Sequence, residues 1–164
     1  MIAECRDYLI QHLKDAGIKT KVCTSLKDLK QFSDPLVGAV IPDGDTFVRS
    51  HSKKVYQSAA GNKHKRRKLF DRELSFLVVV GGKDYLQASE IFGNFMAGLD
   101  AGIVIDGNYT EILPTDADWV DKDDSILKAQ IAVQLQVKFL GGIYRDTDFA
   151  QVSEYEVRSI EQEV

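Results

Sequence analysis

The chain has 164 residues, 44% hydrophobic and 28% charged, enough for one hydrophobic core and too ordinary in balance for a disordered chain. Its formal charge of −4 and pI near 5.4 weigh against a primary nucleic-acid binder, and no apolar run approaches the roughly 20 residues of a membrane span. Acids and bases mixed through the N-terminal stretch exclude a secretory signal there, so a chain made and folded in cytoplasm is expected.

Residues 2–16 read as an amphipathic helix: Ile2, Cys5, Leu9 and Leu13, with Tyr8 and Ala16, recur at three-to-four spacing, and Gly17 suits its C-terminus. Residues 18–23 alternate, as a short strand would. Ser25-Leu26-Lys27-Asp28 has the Ser-x-x-acid form of a helix start, and Asp34-Pro35 stops the turns that follow. Residues 36–41 form an apolar run closed by Pro42-Asp43-Gly44, read as strand then turn. Residues 46–58 are β-prone through Phe47, Val48, Val55 and Tyr56. Residues 59–68 lack apolar periodicity and read as a mobile, strongly basic loop between two strands. The strand expected over 69–80 ends apolar on both faces, which places it centrally in a sheet.

Gly81-Gly82 breaks that strand. A helix is expected over 84–99, with Tyr85, Ala88, Phe92, Phe95, Met96 and Leu99 as its stripe. Short strands at 103–105 and 109–113 flank the hairpin signal Asp106-Gly107-Asn108. Residues 126–140 alternate cleanly, Ile131, Val133, Leu135, Val137 and Phe139 against Gln130, Ala132, Gln134, Gln136 and Lys138. After Gly141-Gly142 the chain turns polar and acidic, as a loosely held tail would. The economical fold is α+β: a mainly antiparallel sheet of about four to five strands with two helices packed on one face. Residues 1–142 are assigned to one domain and 143–164 to an acidic C-terminal extension.

No catalytic, cofactor-binding or metal motif is legible. Phosphate-loop, dinucleotide and His-Glu-x-x-His patterns are absent, and His12, His51 and His64 are dispersed. Asp116, Asp118, Asp121, Asp123 and Asp124 lie close together, but the mid-loop glycine and closing glutamate of a calcium loop are missing. Cys5 and Cys23 read as reduced, half-buried thiols. The expectation is a protein that is not an enzyme and holds no cofactor.

Charge is strongly segregated instead. Eight bases stand between Lys53 and Arg72 against Asp71 alone, and eight acids between Asp100 and Asp124 against Lys122 alone. Opposite patches on identical subunits favour ordered head-to-side packing around a ring. The sharpest feature is Lys63, Lys65, Arg66, Arg67 and Lys68, read as a docking loop for an acidic protein surface. A small nucleic-acid-binding protein using the same bases is the alternative, weakened by the lack of interleaved aromatics.

The order of elements resembles the tail terminator (tail completion) proteins of tailed bacteriophages and related prophage particles. The stretches that carry the likeness are DPLVGAVIPDGD, GNKHKRRKLFDRELSFLVVV, DYLQASEIFGNFMAGLD and SILKAQIAVQLQVKFLGG, within residues 2–142. The resemblance implies a homo-hexameric ring in the virion tail or neck, assembled in the host bacterial cytoplasm. It would cap the tail tube protein, end polymerisation, touch the sheath protein of a contractile tail, and offer a platform to the head-tail connector. DNA would be only passing cargo in the lumen. On this reading the basic loop grips tube or sheath, while Asp116, Asp118, Asp121, Asp123 and Asp124 face the lumen and repel phosphate. Another neck or tail ring component of similar fold is the nearest alternative.

Overall fold

The computed structural model describes residues 1–57, 61, 63–121 and 131–148. The spacing of Cys5, Leu9 and Leu13 yields α1 (Ile2–Asp15), which buries those three side chains. Ser25 caps α2 (Leu26–Gln31) by accepting a hydrogen bond from the Asp28 amide, and Asp84 caps α3 (Tyr85–Gly98) through the Gln87 amide. Helix α3 buries Ala88, Ile91 and Phe95.

The strands are β1 (Val37–Arg49), β2 (Lys53–Gln57), β3 (Lys63–Gly82), β4 (Gly102–Ile105), β5 (Asn108–Asp121) and β6 (Ile131–Asp148). They form one six-stranded sheet ordered β1-β3-β6-β5-β4, with β2 also beside β3, and every strand pairing is antiparallel. Asp106 (φ 50) and Gly107 (φ 74) both take the left-handed region between β4 and β5, the backbone that a tight two-residue hairpin needs. The expected α+β class and antiparallel sheet are therefore present.

The helices do not all share one face. Alternation along the strands sends Val40, Phe76, Val78, Val137 and Phe139 into a core covered by α1 and α3. Val37, Ala39, Ile41 and Val79 point the other way, where Leu29 of α2 covers them. Residues 18–23 are not a strand. Ile18 and Val22 join the first core and Cys23 the second, and this segment makes only a two-bond bridge to β1, through Cys23 to Gly38 and Val40.

Pro42-Asp43-Gly44 is a bulge within β1 rather than a turn. Proline is tolerated because β1 lies at the sheet edge, where a missing N–H breaks no ladder bond. A second bulge in β5 lies between Pro114 and Ala117. Both prolines fall on one transverse row, Pro42–Phe76–Val137–Pro114. Gln136 of β6 ties the two bulges together: its amide donates to Asp43 Oδ2 at 2.8 Å, and Thr115 Oγ1 donates to its carbonyl and side-chain oxygens at 3.3 Å.

Gly141-Gly142 does not end β6, which continues to Asp148 and so crosses the boundary set at residue 142. These glycines serve close packing. A Cβ on Gly141 would fall 2.8 Å from Met1 Cε, and one on Gly142 would fall 2.9 Å from the Phe70 carbonyl oxygen. Residues 149–164 of the proposed extension lie outside the described residues.

Candidate functional site

Beyond the helices, the first third of β3 continues as a three-stranded arm, flanked by β2 on one side and by the end of β6 on the other. Ladder bonds bridge the break between β1 and β2, from the Ser50 amide to the Leu69 carbonyl and from the Lys68 amide to the Ser52 carbonyl. Lys63, Lys65, Arg66, Arg67 and Lys68 thus sit in a strand, not in a loop. The sequence reading missed this because no helix among the described residues covers the arm. Alternation there runs between two polar faces, and a search for apolar periodicity finds nothing.

The five bases have different surroundings. Arg66 forks onto Asp146, with Nε to Oδ1 at 2.7 Å and Nη2 to Oδ2 at 2.6 Å. Its remaining nitrogen, Nη1, donates to the Asp106 carbonyl at 3.1 Å and to Asn108 Oδ1 at 3.3 Å, tying the arm to the β4–β5 hairpin. The guanidinium lies 5.4 Å from the Tyr56 ring and 6.0 Å from the Tyr144 ring. Lys68 pairs with Asp71 at 2.6 Å, and Lys65 is half-buried. Lys63 and Arg67 are exposed and have no ion-pair partner among the described residues. Arg66 is therefore a tether that aims the arm, and Lys63 and Arg67 are the bases of this set that are open to a partner.

The fork from Arg66 holds the Asp146 carboxyl below the usual carboxylate range and raises the guanidinium pKa. Because the folded-state value of Asp146 is depressed, the tether is complete above the ordinary carboxylate pKa and is lost as pH falls through the depressed one. The Asp146 carboxyl, followed by NMR, is expected to titrate below the ordinary aspartate range, with the Arg66 Nε–H resonance moving at the same midpoint. Asp146→Asn should abolish that coupled transition.

The acidic stretch is also partly strand. Asp116 and Asp118 are exposed on β5, Asp116 within its bulge and Asp118 opposite Gln134. Asp121 ends the strand opposite Ile131, while Asp123 and Asp124 lie outside the described residues. No group of three or more His, Cys, Asp or Glu able to hold a metal occurs among the described residues. Burial pushes the Cys5 thiol up to about 12, so it is protonated at neutral pH. His12 packs on Tyr8 and His64 on Tyr56. A cleft of about 290 Å³ below the arm is lined by Arg66, Asp106, Asn108, Tyr144 and Asp146 among others, and those polar groups largely satisfy one another.

Sequence reasoning counted Lys53 in the basic patch and Tyr56 in a strand, but it missed that Tyr56, Tyr144 and Asp146 aim the arm and that Arg145 extends its charge. The signal was alternation at 143–148, where Ile143, Arg145 and Thr147 interleave with Tyr144, Asp146 and Asp148.

No helix among the described residues is long and apolar enough to cross a membrane. No family model and no curated protein matches the sequence. The fold is similar to that of the PVC sheath/tube terminator of an extracellular contractile injection system, solved by cryo-EM in its extended state. The TM-score is 0.56 at 11% identity, and the likeness covers all of this chain but 64% of that one, so this chain spans less than two thirds of that protein's length. What the two share is the fold, an α+β architecture built on an antiparallel sheet.

Proposed function

We propose that this chain is the subunit of a terminator ring, hexameric in the simplest case, that caps the tube of a phage-tail-like particle and ends its polymerisation. The observation that carries the reading is the likeness of the whole chain to a sheath/tube terminator. The physical design agrees with it. A cap needs a rigid body that keeps register with the tube and a projecting element that grips it. The two-core sheet supplies the first and the arm the second. Lys63, exposed near the arm's tip, faces the tube or the last sheath ring, where charge steers the approach. The opposite end of the ring receives the head-tail connector.

The test is made in the particle-producing cell. Loss of this chain is expected to give tubes of irregular length in electron micrographs, and the intact chain supplied in trans should restore uniform ones. Lys63→Glu should leave the melting curve unchanged and restore length control only in part. Tubes of normal, uniform length without the chain would reject the reading.

A further inference from the structure

On the face of the arm that Arg67 occupies, Lys53 of β2, Arg67 of β3 and Arg145 of β6 stand directly opposite one another across three strands. All three are exposed. Like charges in direct opposition on a sheet repel, and none of the three has an ion-pair partner among the described residues. The nearest acid in register, Asp146, is one residue along β6 from Arg145, so it projects from the reverse face and is taken by Arg66. Neighbouring strands lie about 4.8 Å apart, so the row sets three cations across about 10 Å. Val55, on the same face two residues from Lys53, is 56% exposed and gives the row an apolar neighbour.

The same chain carries the complement elsewhere. Glu111, Asp116 and Asp118 on β5 are exposed and have no ion-pair partner among the described residues. Strand β4 pairs with β5 only at residues 108–111, so among the described residues no strand covers the outer edge of β5 from Leu113 onward, and Leu113 itself is 41% exposed. Three cations beside an exposed valine thus match three carboxylates around an exposed leucine, and among the described residues no ion pair joins the two patches within one copy.

We propose that the row Lys53–Arg67–Arg145 of one copy docks on the Glu111–Asp116–Asp118 flank of β5 in a second copy. The two patches are distinct, so the contact is heterologous and every copy keeps one free donor and one free acceptor until a ring closes. The inference rests on the ring reading for that closure alone. A second copy is favoured over nucleic acid because the chain is net negative at −4 and the arm's aromatic rings pack on its own bases, Tyr56 and Tyr144 with Arg66.

The experiment is a charge swap in the full-length chain, read by sedimentation velocity at low and high salt, with circular dichroism melts as the check on folding. Arg67→Glu with Arg145→Glu, and separately Asp116→Lys with Asp118→Lys, are each expected to weaken self-association by on the order of tenfold or more. The four substitutions together should restore most of it, because each reversed row again meets an opposite flank. Raising salt should weaken the native contact in the same direction. Four-fold variants that associate no better than either pair alone would overturn the proposal, as would either pair associating like the native chain. If the row variant loses affinity for a duplex DNA probe while self-association stays intact, the row belongs to nucleic acid and the proposal also falls. Swap-rescued association without a ring-sized species would uphold the contact and reject the ring. A ring-sized species indifferent to both reversals would do the converse.

Discussion

Replacing Phe139 with alanine is expected to destabilise the domain by about 3–5 kcal/mol, the range for removing a fully buried phenylalanine. Phe139 is 0% exposed at the centre of an aromatic chain. Its ring meets Phe76 edge-on with centroids 5.8 Å apart, and meets Tyr8 of α1 edge-on at 6.4 Å. Deleting it opens a cavity where β6, β3 and α1 converge, and the sheet on one side cannot collapse to fill it. Urea denaturation should show a lower midpoint at an unchanged slope. Phe47, 49% exposed on β1, provides the contrast: its alanine variant should lose about 1 kcal/mol or less. Equal losses at the two positions would mean that the helix layer does not depend on this aromatic chain.

Arg66→Ala should produce a different kind of defect. Arg66 is shared by β3, β6 and the β4–β5 hairpin, so its loss frees the arm from the body while leaving both cores intact. Amide exchange is expected to accelerate by on the order of tenfold in residues 53–57 and 143–148 and to stay unchanged at 133–139, with the melting temperature moving by no more than a few degrees. Arg66→Lys should behave like the alanine variant, because an ammonium cannot fork onto Asp146 and reach Asp106 and Asn108 together. Slower exchange at 133–139 relative to the arm in the native chain, with no change on substitution, would show that the tether contributes nothing.

How far the sequence could be read follows from what surrounds each segment. The helices at α1 and α3 and the alternating half of β6 lie against a core, so their apolar periods of 3.6 and 2 are explicit in Cys5, Leu9 and Leu13 and in Leu135, Val137 and Phe139. Ser25 was legible as a helix start because its role is local, whereas Asp84, read as the first residue of its helix, proves to be that helix's cap. The arm was not, because its strands have no buried face to impose a period, and the partners of Arg66 are 40 or more residues away in sequence. Proline and glycine misled for a related reason. Pro42 and Gly141-Gly142 look like breakers, yet an edge position and close packing against Met1 and Phe70 keep all three residues inside strands. The basic and acidic patches were visible from composition, but which bases are open and which are tethered required the register.

Strand β3 runs unbroken for 20 residues, about 65 Å, from Lys63 in the arm to Gly82 beneath α3. It pairs with β6 along nearly that whole length and with β1 and β2 on its other side. A pull on the arm directed along the strand therefore loads two long ladders in shear, many hydrogen bonds at once, where a hairpin pulled open from its end would yield them singly. The molecule is built to carry tension along one axis and to peel easily across it.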